Sequence, residues 1–243
     1  MIFRDESAAD LSTLTPYLAL AIYPLAFFLG FSVNPIEFSW TFKLARRRRS
    51  IDEPMPAEVR DRAEAVTRYL NFLVDALVLV FIVILLRRTG LGAGHMGLQF
   101  ANWEHDAIFG LTAGIFLVAT QSLTLRRVPI DPRHAFTYQV RRGSPVLWVF
   151  IFVTGAFSEE LWIAVCLVFL RTTAHSAAIS VAVTIAVFAA MHYSYRFWGT
   201  VAVAAKGTIS ALLFLHSGSV IVTFFCHFVG NLGSLYWNRY WRR

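Results

Sequence analysis

The stretch Phe157-Ser-Glu-Glu-Leu-Trp162 places two adjacent carboxylates inside a long apolar run of the chain. Two later apolar runs contain Phe188-Ala-Ala-Met-His192 and His227-Phe-Val-Gly-Asn231. A charge at the centre of a bilayer costs roughly 2.5–3.5 kcal/mol on insertion scales, so such groups persist where they pair, line a wet cavity or carry out chemistry. Glutamate, histidine and asparagine together can activate water and stabilise an oxyanion. The pattern therefore predicts a hydrolytic site within a membrane.

The composition agrees with a membrane protein. Of the 243 residues, 57% are hydrophobic and 15% are charged, whereas soluble domains usually have about 25% charged residues. We expect one all-α, polytopic helix bundle. The net charge of +7 does not indicate a nucleic-acid partner, because the basic residues cluster between the apolar runs and are typical of topology signals.

Seven runs are long enough to cross a bilayer, which takes about 20 mostly apolar residues. These runs are Leu14–Val33, Thr67–Leu86, Asp106–Leu125, Pro145–Leu170, His175–Tyr195, Trp198–Leu215 and Gly218–Trp237. Most basic residues lie after the first and third runs and at the C-terminal end, including Arg46-Arg-Arg-Arg49. The positive-inside rule then predicts an N-terminus outside the cell and a C-terminus in the cytoplasm.

The same pattern divides the chain into four parts. Residues 1–13 are expected to form an extracytoplasmic tail, and their acidic character does not indicate a cleaved signal peptide. Residues 14–144 are expected to form N-terminal membrane helices with basic cytoplasmic loops. Residues 145–237 form a four-helix core that contains every motif quoted above, and residues 238–243 form a basic cytoplasmic tail.

Helical spacing predicts how the polar groups are arranged. Glu159 and Glu160 are adjacent, so their side chains point about 100° apart and are expected to have different roles. His227 and Asn231 are four residues apart and share one helix face. With helices of alternating direction, these groups and His192 can converge in a cavity that opens to the cytoplasm.

In their order, spacing and distribution over separate spans, the three motifs resemble those of the CPBP intramembrane proteases. That family includes CAAX prenyl endopeptidases and bacteriocin-processing or immunity proteins, and the resemblance covers roughly Pro145–Trp237. It implies an endopeptidase in which Glu159 activates water and His192 holds or polarises it. His227 and Asn231 would donate hydrogen bonds to the oxyanion, and Glu160 completes the catalytic set.

The resemblance leaves the use of a metal open. A metalloprotease would place zinc or another divalent cation among Glu159, His192 and His227, with a fourth position open for water. A metal-free glutamate mechanism fits the same residues. In either case the expected partners are membrane lipid and a peptide or lipidated-protein substrate.

One position departs from the family pattern. Ala164 stands where an arginine usually follows the second glutamate by one helical turn. Lys206, a cation inside the sixth apolar run, is our candidate for a substitute partner of Glu160. Ala164 also favours an alternative function, a catalytically inactive membrane scaffold or immunity-type binding protein of the same fold. A proton-coupled transporter that uses Asp75 together with these groups is a third hypothesis.

Overall fold

The computed structural model describes residues 19–21, 56–125, 145–192 and 196–240. These residues form six α-helices and one short 3₁₀ helix, so the all-α class is confirmed for the described part of the chain. The α-helices are α1 (Ala57–Thr89), α2 (Trp103–Leu125), α3 (Pro145–Ala174), α4 (Ala177–Met191), α5 (Arg196–Ser217) and α6 (Val220–Tyr240), and the 3₁₀ helix is Ala93–Met96.

Each α-helix coincides with one of the last six predicted spans. Within the described residues, two segments combine the length and apolarity needed to cross a membrane, namely Val153–Ala174 and Gly199–Ser217. Two shorter apolar helices cover Ala177–Met191 and Val220–Gly233. The number of seven spans therefore stays a prediction. Most of Leu14–Val33 and the Arg46–Arg49 cluster lie outside the described residues.

Helix α3 is the centre of the bundle. Residues 161–170 are all buried, since α1, α4, α5 and α6 pack around this helix. A helix that is apolar on every face is typical of such a fully enclosed position. Glu159 and Glu160 lie immediately before this stretch, so the fold sets both carboxylates at the edge of its most buried segment.

Helices α2 and α6 pack closely because both have glycines on the facing surfaces. A Cβ atom at Gly114 would lie 2.6 Å from Cβ of Val229, and one at Gly110 would overlap the backbone of α6 at Val222. Small residues let membrane helices approach closely. This contact fixes the position of α6, the helix that carries His227.

The start of α6 is set by the 3₁₀ helix. The Val220 N–H donates to the Gly97 carbonyl at 3.2 Å, which satisfies one of the unpaired donors at the beginning of α6. Gly97 has φ 68°, and a Cβ atom there would overlap the Gly218 carbonyl. Glycine is therefore required at position 97 both by the backbone conformation and by the available space.

The outer surfaces of the bundle are apolar. Exposed side chains on α1 include Leu73, Leu77 and Val80, and those on α2 include Ile115 and Phe116. A soluble monomer rarely exposes large continuous apolar surfaces. These helix faces suit contact with lipid.

Candidate active site

The centre of the polar cluster is a buried pair formed by Glu160 and His227. Their side chains are 1% and 4% exposed, and His227 Nδ1 lies 2.6 Å from Glu160 Oε1. The Ser210 hydroxyl of α5 donates to the same carboxylate oxygen at 2.9 Å. Three helices thus meet at one oxygen atom, while the other oxygen, Oε2, is buried without a hydrogen-bond partner among the described residues.

Glu159 approaches the same imidazole ring from its other nitrogen. His227 Nε2 lies 3.5 Å from Glu159 Oε2, and the Glu159 side chain is 22% exposed. The ring therefore lies between the two adjacent carboxylates, one at each nitrogen. The two glutamates differ in their surroundings, because Glu159 is partly exposed and Glu160 is buried, while their different roles stay a prediction.

Lys206 of α5 extends toward Asn231 of α6. Its Nζ donates to the Asn231 Oδ1 at 2.6 Å. Lys206 is also close enough to Glu159 and Glu160 to interact with both electrostatically. The direct contacts therefore differ from our hypothesis of a Lys206–Glu160 pair, since Glu160 bonds His227 and Ser210 instead.

His192 follows the last residue of α4 and is buried. Its Nδ1 lies 2.8 Å from the Phe188 carbonyl, which can only accept, so Nδ1 carries a proton. The Phe188 ring packs against the imidazole at 4.8 Å and stacks on Trp162 of α3. The Phe-x-x-x-His spacing thus orients the histidine, which is an electrostatic neighbour of Lys206.

Helix α1 also contributes an acid to the cluster. Asp75 accepts a hydrogen bond from the Ser158 hydroxyl of α3 at 2.9 Å and lies within electrostatic range of Glu159. The sequence analysis singled out Asp75 but neither Ser158 nor Ser210. Ser210 could have been found, because it is four residues after Lys206 and shares its helix face.

The residues described do not support the metal alternative. They contain no group of three or more histidine, cysteine or acidic side chains arranged to hold a metal ion. The proposed ligands have other contacts in this geometry, since His227 faces a carboxylate at both ring nitrogens. Cys166 and Cys226 are free buried thiols.

The fold and the site together define an all-α bundle of apolar helices around buried acidic, histidine, lysine and amide groups. A family model described as type II CAAX prenyl endopeptidase Rce1-like matches residues 141–233. Over this region the chain is thus similar to the CAAX protease family, the resemblance that its three motifs predicted. This family consists of membrane-embedded proteases, which supports the peptidase class and a membrane location. No curated protein and no solved structure shows a significant match.

Proposed function

We propose that the chain is a multi-pass intramembrane endopeptidase that hydrolyses a peptide bond in a membrane-associated or lipid-modified polypeptide. The observation that carries this proposal is the position of His227 between Glu159 and Glu160. Two carboxylates in unequal surroundings at one imidazole are an arrangement suited to acid–base chemistry. The family match supports the same class of reaction.

Glu159 is the general base in this proposal. Its partial exposure allows a water molecule to reach the carboxylate, whereas Glu160 is enclosed. Glu159 takes a proton from that water as the oxygen attacks the scissile carbonyl carbon. It then returns the proton to the amine as the carbon–nitrogen bond breaks, so the carboxylate is regenerated.

Glu160 acts through His227 and is a positioning residue. A neutral imidazole that donates from Nδ1 to the Glu160 carboxylate has no proton on Nε2, and the pair then has a net negative charge. A second proton makes the pair neutral overall and places a hydrogen on Nε2. In this proposal, the contact between Glu160 and His227 Nδ1 favours a hydrogen on Nε2, which then donates to the reacting carbonyl.

Asn231 is the second donor to the oxyanion. Its Oδ1 faces Lys206, so its amide NH₂ group faces away from the ammonium. Donors of this kind contribute about 2.7–4 kcal/mol each to catalysis in other hydrolases. His192, oriented by its bond to the Phe188 carbonyl, would hold the attacking water.

The substrate is proposed to be a peptide end or an unwound segment, because an intact helix keeps its carbonyls in hydrogen bonds. We place the N-terminus outside and the C-terminus in the cytoplasm, with residues 145–237 as the catalytic core. The site then opens to the cytoplasmic side, where a lipidated C-terminus would enter.

The experiment compares new peptide termini in membrane fractions from host cells that make the wild type or Glu159→Gln at matched levels. Termini present only with the wild type would identify the substrates and show whether cleavage occurs near a C-terminal cysteine. Thr208→Val is the matched control, since its hydroxyl bonds the backbone of its own helix at Ala204, and it should give the wild-type profile.

Ala164 supports one alternative function. Without the family arginine, one oxygen of Glu160 is left without a partner among the described residues. An inactive scaffold or immunity-type protein would tolerate this loss and keep the cavity to bind a peptide. Identical terminus profiles from folded wild type and Glu159→Gln, in a host that supplies the natural partners, would favour this alternative.

A further inference from the structure

Lys206 is an intramembrane charged group to which the proposed mechanism assigns no role of its own. We propose that Lys206 is a positioning residue that fixes the orientation of the Asn231 side chain. In this role it holds the amide oxygen and directs the NH₂ group toward the position of the oxyanion. The inference rests on the proposed function, because it assigns how one of the two oxyanion donors is kept ready.

The hydrogen-bonding chemistry of the two groups determines the orientation. An asparagine amide can rotate by half a turn, which exchanges an acceptor for a donor at each position. A lysine ammonium has three donors and no acceptor, so only the amide oxygen can face Lys206 Nζ. The distance of 2.6 Å is that of a short, charge-assisted hydrogen bond. A wrongly rotated amide would present its oxygen to the oxyanion and repel it.

The surroundings explain how a cation is accommodated at this depth. Glu159 and Glu160 are both close enough to attract the ammonium group electrostatically. The aliphatic stem passes Gly230, where a Cβ atom would be in ordinary van der Waals contact with Lys206 Cε at 3.7 Å.

This role differs from the substitution of Lys206 for the family arginine. An arginine substitute would act on Glu160, and its loss would reduce activity whether or not Asn231 is present. If Lys206 acts by orienting Asn231, its substitution should have little further effect on activity once the Asn231 amide has been removed. A double-mutant cycle separates the two, because residues that act as a unit are strongly non-additive.

The test uses full-length protein in proteoliposomes and a farnesylated peptide that ends in a C-a-a-X sequence. If the membrane comparison identifies another cleavage site, a synthetic peptide that spans that site replaces it. The variants are Lys206→Met, Asn231→Ala and the double variant, with Thr208→Val as the control on the same helix. Thermal unfolding in detergent establishes that each variant is folded.

We expect Lys206→Met to lower kcat about 10- to 100-fold with KM changed less than about threefold, below the loss of about 10²- to 10³-fold expected for a complete oxyanion donor. In the Asn231→Ala background, Lys206→Met should have an effect below about threefold. Lys206→Gln, which keeps a donor without a charge, should recover part of the activity. It also serves as the test variant if Lys206→Met fails to fold.

Full activity of Lys206→Met, or an equal loss in both backgrounds, would overturn the positioning role and leave the proposed function intact. A wild type that cleaves no more than Glu159→Gln would instead overturn the proposed function, and the positioning role with it. Glu159→Gln is therefore measured in the same series, so that the two failures are distinguished.

Discussion

Helices α3–α6 and helices α1–α2 contribute to the same site in different ways. The first group holds the glutamates, both histidines, the lysine and the asparagine. The second group supplies a single acid, Asp75, and a glycine surface on α2 that packs against α6. The polar groups of the candidate site are thus concentrated in the matched region (residues 141–233), while α1 packs against α3 and α2 packs against α6. A substitution in α3–α6 should mainly lower kcat, whereas a substitution in α1 or α2 should mainly lower the stability of the fold.

The largest effect is expected from a substitution of Glu160 in the matched region. This substitution should lower activity while the protein stays folded. Glu160→Gln keeps the shape of the side chain but removes the carboxylate that contacts His227 Nδ1. We expect kcat to fall about 10²- to 10³-fold, comparable to the removal of an oxyanion donor. Steady-state kinetics on the farnesylated peptide measure this loss.

The matched control for that change is Ser210→Ala, which removes one hydrogen bond to the same oxygen and leaves the carboxylate. One hydrogen bond to a charged group contributes about 1.5–3 kcal/mol, which corresponds to roughly 10- to 150-fold in rate. The loss in Ser210→Ala should be near the lower end of this range, because the carboxylate keeps its contact with His227. Equal losses for both variants would indicate that the charge of Glu160 contributes no more than the single hydrogen bond from Ser210.

The second effect concerns stability and is expected on α2. Gly114→Leu forces a side chain against Val229 and the Cys226 carbonyl, which already lie 2.6–3.0 Å from the position of a Cβ atom. Overpacking usually costs about 1–3 kcal/mol, and this site should be near the upper end. Thermal unfolding in detergent measures the loss. Ile115→Leu, one residue away on an exposed face, should change stability by less than about 0.5 kcal/mol.

The sequence predicted the polar residues of the candidate site better than it predicted the contacts between the helices. Glutamates and histidines inside apolar runs are conspicuous, and helical spacing correctly put His227 and Asn231 on one face. The six described α-helices also fall where apolar runs predicted them. The partners of these groups depend on how helices rotate against one another, which spacing within one helix does not determine. The Lys206–Asn231 and Ser210–Glu160 contacts, and the glycine surface of α2, are of this kind.

The third prediction concerns the introduction of an arginine at position 164, where the family pattern has one. Ala164 is buried, and both Ala164→Arg and Ala164→Leu overfill its site. Only the arginine can donate to Glu160 Oε2, which is one helical turn away and has no hydrogen-bond partner in the part of the chain that the structure describes. We expect Ala164→Arg to be more stable than Ala164→Leu by about 1.5–3 kcal/mol, the range of a hydrogen bond to a charged group. Leucine as the more stable variant would show that position 164 lacks a path to that oxygen.

The smallest effect is expected at Asp75. This residue of α1 lies outside the matched region but is close enough to Glu159, the proposed base, to interact with it electrostatically. Asp75→Asn keeps an acceptor for the Ser158 hydroxyl but removes a negative charge close to Glu159. Because this charge lies within electrostatic range of the proposed base, its loss should slow the proton transfer from water to Glu159. We expect kcat to fall about threefold to tenfold while the unfolding temperature stays within a few degrees.

Ser158→Ala, which removes the hydrogen bond and keeps the charge, should show the opposite pattern of lower stability and nearly unchanged kcat. If both variants lower stability and neither lowers kcat, α1 only supports the structure, and the reaction depends on α3–α6 alone.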